Sequence, residues 1–263
     1  MRHVSTVAWR ELRSLFASPV AYGVTSLFAV VAGLFFVLYV LDFDARIIQL
    51  EQFQAADQLE RTNLSDHLIS PFYDTMISVL LFLVPGITMG LYAAEKTNGT
   101  QELLLTSPLT IWDVVLGKFA AGAAFVAILV AMVAAFPALL FAYGDPDPEL
   151  GKTLAGLLGV LLVGWTYVAI GAFASSLTRS QVLSFLIAFV VLICLALLPV
   201  IAGLGMVGGA PGVGDAFRWL ATGEHVQPLL GGLVDTSDLV YFAVVIGSFL
   251  LLTKASVESV RWR

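Results

Sequence analysis

The tripeptide Gly151-Lys152-Thr153 is where a phosphate-cradling loop could end in this 263-residue chain. Such a loop needs a glycine, four residues, then Gly-Lys-Ser/Thr, with backbone N–H groups free to hold phosphate oxygens. Pro146 stands where the first glycine should be, and Gly144 lies too far back. Pro146 and Pro148 also lack the N–H donors the loop would use. The chain is therefore expected to hydrolyse no nucleotide and to be no enzyme. His3, His67 and His225 are far apart, and none has a metal-ligand partner four residues on. His67 and His225 could meet in space, but solvated or loop-packing roles account for them. Cys194 is the single cysteine and lies in an apolar run, where it reads as a small hydrophobe. No Gly-x-Ser-x-Gly elbow occurs. No catalytic residue, metal or bound cofactor is expected.

A different chemistry, recognition of a partner, suits the stretch Glu95, Lys96, Thr97, Asn98, Gly99, Thr100, Gln101, Glu102, Leu103, Leu104, Leu105 and on to Leu109. Thr100 can cap a short helix at Gln101, and Pro108 can end it. Glu102 near the start suits the positive end of the helix dipole. Leu103 to Leu105 form an apolar triplet on a short connection. An ordinary turn lying on a membrane surface accommodates such a triplet. A docking helix seated in a groove on a soluble partner makes use of one.

Composition points to the elements that hold this stretch. Hydrophobic residues make up 59% of the chain and charged residues 12%, against about a quarter charged in a soluble domain. Mean hydropathy is +0.93. The charges are bunched between long uncharged runs, so lipid is the expected solvent. A net charge of −6 argues against a nucleic-acid partner.

A spanning helix needs about 20 mostly apolar residues to cross a core of about 30 Å. Six segments qualify: 19–41, 76–94, 119–143, 154–177, 182–204 and 239–257. The first five contain no Asp, Glu, Lys, Arg or His, and one buried charge would cost about 3 kcal/mol. The uncharged part of the sixth, Leu239 to Thr253, covers only about 22 Å. Lys254 can snorkel while Ala255 and Val257 continue that helix. Barrel strands would alternate apolar and polar residues, and these runs do not. The expected fold is an all-α membrane protein with six transmembrane helices. The first run is too long for a signal-peptide core and reads as a retained helix. Pro85, Pro137 and Pro199 are expected to kink their helices. Gly156, Gly159 and Gly164, with Ala120 and Ala124, are expected to allow close helix contact.

Charge sets the expected orientation. With the N-terminus inside, inner segments carry Arg2, Arg10, Arg13, Lys96, Lys118, Arg179, Lys254, Arg261 and Arg263. Outer segments carry only Arg46, Arg61, Lys152 and Arg218. That asymmetry obeys the positive-inside rule and puts both termini in the cytoplasm. Residues 1–18 read as an amphipathic helix in the membrane surface, with Val4, Val7, Ala8, Leu12, Leu15 and Phe16 on one face. Arg2, Arg10 and Arg13 lie on the other, and Trp9 suits headgroup depth. Residues 42–71 and 205–238 are expected outside. The first segment is acidic; the second is glycine-rich and then amphipathic from Ala216 to Leu233, able to dip back into the membrane.

Several patches together resemble one family. GTQELLLTSP and VVLGKF, between Glu95 and Phe119, are similar to the coupling-helix region of ABC-2 type permeases. The resemblance is to the branch that includes permeases of the gliding-motility and nitrous-oxide-reductase maturation systems. RELRSLFASPVAY, from Arg10 to Tyr22, resembles the family's N-terminal elbow helix, with Trp9, Arg10, Glu11 and Arg13 in it. Pro85 to Met89, SSLTRSQVLSF from Ser175 and GGLVDTSDLVYF from Gly231 are similar to later parts of the pattern. Thr97 and Asn98 stand where the family often carries more charge. The resemblance implies a six-helix subunit that forms a homodimer on two copies of an ABC ATPase, in the bacterial inner membrane. It implies export, with ATP and Mg on the partner and Glu95 to Leu105 seated in an ATPase cleft. It also leaves room for an accessory extracytoplasmic subunit. A membrane anchor or assembly scaffold without a translocation path would use the same apolar helices. An ion-coupled carrier or channel is disfavoured, because no acidic residue falls in the middle of a run.

Overall fold

The computed structural model describes residues 2–53, 62–100, 110–144, 148–203 and 219–259, all in helices and their connections. Among these, six helices are long and apolar enough to cross a membrane: Pro19–Gln52, Ser65–Thr97, Ile111–Tyr143, Leu150–Leu177, Gln181–Ile201 and Thr236–Ser259.

The first helix, α1, covers Arg2–Ala17. Ser18 then takes an extended backbone and accepts a hydrogen bond from the Val20 N–H, capping α2 (Pro19–Gln52). Proline at the first helical position forces that corner, because the residue before it is pushed out of the helical region. Residues 42–52, expected in an outer loop, continue α2 instead. No glycine or proline interrupts them, and they are mostly adequate helix formers. Residues 54–61 lie outside the described residues.

A π-helical turn, Ser65–Ile69, leads straight into α3 (Ser70–Thr88). The second span therefore starts well before Met76 and takes in Asp74, an acid absent from the run read in the sequence. Pro71 stands at the second position of α3, directly after the π-turn. The helix breaks at Met89 and resumes as α4 (Gly90–Thr97). Next come α5 (Ile111–Tyr143) and α6 (Leu150–Leu177). They are followed by α7 (Gln181–Gly203), a short α8 (Thr222–Leu230) and α9 (Thr236–Ser259). The fifth element starts eight positions before Phe119, because a cap at Thr110 opens it there. The last runs past Lys254 to Ser259. Residues 204–218, with the glycine-rich part of 205–238, lie outside the described residues.

The central helix is α6, which packs against α3, α5, α7, α8 and α9. Its most apolar window is 67% buried, against 17% for α2 and 22% for α7. The outer helices thus leave apolar faces for lipid or another chain. Glycine lets α6 occupy that centre. A Cβ on Gly164 would come within 2.5 Å of Val126, and one on Gly156 within 2.5 Å of Tyr73. Gly159 packs against Val226 and Leu229 of α8. Small residues therefore bring helix backbones together where dispersion contacts hold a bundle in lipid. Ala120 and Ala124 behave differently: they line an open apolar groove between α5 and α1, with Ala8, Trp9 and Leu12. Pro137 and Pro199 remain inside α5 and α7.

Candidate functional site

The recognition stretch starts on the last turn of α4. Asn98 N–H donates to the Ala94 carbonyl at 3.0 Å, and Thr100 N–H donates to the Glu95 carbonyl at 3.1 Å. Gly99 between them has φ 71°. This pattern closes a helix with a left-handed residue, a conformation that glycine takes without a Cβ penalty. Thr100 thus completes the end of α4. The helix expected from Gln101, with Glu102, Leu103, Leu104 and Leu105, falls in residues 101–109, outside the described residues. The chain returns at Thr110. There the Thr110 hydroxyl accepts from Asp113 N–H at 3.2 Å, while Asp113 Oδ2 accepts from Thr110 N–H at 3.1 Å. This reciprocal box satisfies two otherwise orphaned donors at the start of α5.

A charge cluster lies where α1, α4 and α5 meet. The Lys118 side chain on α5 is 1% exposed. Its Nζ reaches Glu95 Oε1 at 2.8 Å, Glu11 Oε1 at 3.2 Å and the Leu91 carbonyl at 2.7 Å. Arg10 completes it, 2.7 Å from Glu11 and 3.8 Å from Glu95. The Tyr92 ring lies 5.2 Å from the ammonium. Two cations face two carboxylates, so the cluster is electroneutral. That balance lets a lysine sit in the bundle, where an unpaired charge would be costly. It also binds α1, α4 and α5 into one unit. Val7 of α1 packs on Gly117, whose Cβ, if present, would clash at 2.6 Å.

The opposite side of α4 is tied to α6. Lys96 donates to the Ser176 carbonyl, and Thr97 donates to the Arg179 carbonyl. Ser256 of α9 also donates to Ser176, at 3.0 Å. A cation at the carbonyl end of α6 suits its dipole. A pocket of ≈ 610 Å³ opens beside them, lined by Lys96, Thr97, Arg179, Ser180, Gln181 and Val182. Glu95 and Lys96 are therefore engaged within the subunit, whereas Asn98, Gly99 and Thr100 are exposed. In the amphipathic helix, Arg10 and Glu11 join the cluster. Trp9 is 63% exposed, and Arg13 is exposed as well.

The break at Met89 is bridged from α6. Ser175 Oγ accepts from Tyr92 N–H at 3.0 Å and Ala93 N–H at 3.1 Å, and donates to the Met89 carbonyl at 2.8 Å. In an unbroken helix those two N–H groups would donate to the carbonyls four residues back.

At the far end of the bundle, Lys152 pairs with Asp66 at 3.2 Å and Glu149 at 3.4 Å, which gives the Gly-Lys-Thr tripeptide a structural setting. His67 and His225 do not pair. His67 Nδ1 lies 3.3 Å from the Asn63 carbonyl. His225 Nδ1 is 2.7 Å from Asp238, its Nε2 is 2.9 Å from the Trp219 carbonyl, and its ring stacks on Tyr241 at 3.9 Å. Cys194 is exposed on α7.

Three functional features went unread in the sequence: Lys118 as a buried hub, Ser175 as a bridge, and the Thr110–Asp113 box. The box had a visible signal, since Thr-x-x-Asp before an apolar run is a capping pattern. Lys118 had half a signal, because a lysine beside so apolar a run needs a partner. Ser175 had none.

No curated protein matches the chain. Residues 5–257 match the family described as ABC-2 family transporter protein. With that match running from α1 to the last turns of α9, the chain belongs to the ABC-2 family of membrane transporter proteins.

Proposed function

We propose that the chain is the permease subunit of an ABC transporter, driven by a separate ATPase that docks on Glu95 to Leu105. The observation that carries this reading is the anchoring of both ends of residues 101–109. One end is the closed terminus of α4, the other is the capped start of α5, and Lys118 joins them. A stretch held that way can pass a push to several helices at once.

On this reading ATP and Mg²⁺ belong to the ATPase, and the chain does no hydrolysis. Two ATPase copies serve a homodimer of this chain, an arrangement that the family resemblance supports. Export from the cytoplasm, an inner-membrane location and cytoplasmic termini follow from the resemblance and the basic residues at the α4 end. An accessory extracytoplasmic subunit would meet the outer segments. Kinship with the gliding-motility and nitrous-oxide-reductase maturation permeases rests on the sequence patches alone. The amphipathic α1, with Arg13 and Trp9 exposed, suits a helix lying in the membrane surface.

The test is a Glu102→Ala, Leu104→Ala double variant. Glu95 is a poor probe, because its loss would take one of two carboxylates from the buried Lys118. The ATPase that copurifies with the wild-type chain from its native membrane is the partner to measure. Association is expected to fall about tenfold or more, as for a truncated apolar anchor, with membrane insertion unchanged. Unaltered association and transport would remove the docking role. Association without ATP-driven flux in reconstituted vesicles would instead favour a scaffold.

A further inference from the structure

The joint between α3 and α4 has an unusual construction. A helix kink normally leaves backbone groups to water or to proline. Here a hydroxyl from another helix inserts into the ladder. Ser175 is fully buried, accepts two N–H groups and donates one hydrogen bond to Met89. The hydroxyl hydrogen and both oxygen lone pairs are thereby used. Were it to withdraw, Ala93 N–H could donate to the Met89 carbonyl and Tyr92 N–H to the Thr88 carbonyl, making α3 and α4 one straight helix. Either arrangement satisfies the N–H groups of Tyr92 and Ala93 and the carbonyl of Met89, as a water-poor interior demands. Two satisfied arrangements of one segment are what a bistable element requires.

The surroundings allow the movement. Gly86 and Gly90 flank the joint, and neither has a heavy atom within 4 Å of where a Cβ would stand. A cavity of ≈ 170 Å³ adjoins it, bordered by Ser18, Ile87, Gly90, Phe125 and Gln181. Pro85 deprives the helix above of one ladder bond. Fixed packing begins at once on the other side: a Cβ on Gly171, one turn before Ser175, would lie 2.0 Å from the Thr88 hydroxyl oxygen. The joint thus has a clamped side at Thr88 and a roomy side at Gly86 and Gly90. Beyond it, α4 is tied to α1 and α5 through Lys118, to α6 through Lys96 at Ser176, and to the α6–α7 turn through Thr97 at Arg179.

We propose that the Met89 joint is a two-position hinge set by the Ser175 hydroxyl, and that it converts movement of the docking stretch into movement of α6. Ser175 is a positioning residue: it touches no cargo and acts through the backbone of α4. The hinge itself stands on the geometry; only its consequence for transport rests on the docking reading above.

The experiment places spin labels at Ser78→Cys and Asn98→Cys, exposed positions on either side of the joint, in a Cys194→Ala background, in lipid nanodiscs, and measures the distance between them. The wild-type subunit is expected to show two distances, whose ratio changes when the copurifying ATPase and ATP are added. Ser175→Ala should collapse them to one, and Ser175→Thr, which keeps the hydroxyl, should restore both. Gly90→Ala should shift the ratio about fivefold toward the straight form through helix propensity. This variant carries the test if Ser175→Ala inserts poorly. Flux per ATP hydrolysed should fall in Ser175→Ala and recover in Ser175→Thr, a pattern that mere loss of stability would not give. A wild-type distribution in both Ser175→Ala and Gly90→Ala, or one fixed distance with and without ATPase, overturns the hinge. Failure of the ATPase to bind wild-type subunit sinks the docking reading instead, while the distances in the free subunit still report on the joint.

Discussion

The two ends of the helix bundle hold their charges in different ways. At the α4 end, Lys118 is 1% exposed and meets carboxylates from two other helices. At the α8 end, Lys152 is 25% exposed, and its partners Asp66 and Glu149 are about half exposed. His225 and Asp238 lie between these extremes, at 13% and 9%. Coulomb attraction grows as water is excluded, and so does the penalty for leaving a charge alone. The same kind of ion pair is thus a structural hub at one end and a surface contact at the other. The hub joins three helices, α1, α4 and α5, through one buried ammonium. The outer contacts tie down loops and helix starts, which asks less of them.

That contrast can be broken most sharply at Lys118. Lys118→Ala should cost about 3 kcal/mol or more, because it removes the buried cation and leaves Glu11 and Glu95 only the exposed Arg10 as a partner. Chemical unfolding in detergent micelles measures this. Adding Glu11→Gln and Glu95→Gln should recover part of the loss, and a cost under about 1 kcal/mol would mean the cluster is no hub.

The α8 end offers the intermediate case. Asp238→Asn and His225→Ala should each weaken the packing of α8 against α9, with a coupling of about 2 kcal/mol in a double-mutant cycle, as for a hydrogen bond to a charged group. Additive losses would show that the Tyr241 stack, not the 2.7 Å contact, holds the ring.

Thr110→Ala removes the cap of α5. A loss of about 1 kcal/mol is expected, and hydrogen exchange should rise first in the amides of residues 111–114. Unchanged exchange there would remove the box from the anchoring of α5.

The smallest effect is expected at Lys152→Ala. An exposed pair contributes below about 0.5 kcal/mol, and added salt should shrink even that. An effect as large as that of Lys118→Ala would erase the distinction between the two ends.

Much of the fold was legible because it depends on local composition. Long runs without charge must be helices in lipid, whichever neighbours they find. Helix ends were less legible. The run from Asp42 to Gln52 looked like a loop because it is acidic, yet charge does not end a helix when no glycine or proline intervenes. The start of α5 was placed too late because Lys118 was counted as an inner surface charge rather than a buried one. Of the candidate site, the stretch from Glu95 onward was singled out by its residue types and spacing, and only Glu95 to Thr100 of it fall among the described residues. The inward commitments of Glu95 and Lys96 were not legible, since their partners lie on other helices.

Residue order alone was enough for the solvent and the number of spans, because hydrophobic run length acts within a single segment. Tertiary packing alone decided that Glu11 and Glu95 share one lysine, that α6 takes the centre, and that a serine from α6 bridges a break in its neighbour. Those outcomes depend on which helices come within hydrogen-bond distance, and that is set by glycine-lined contacts summed over the whole bundle.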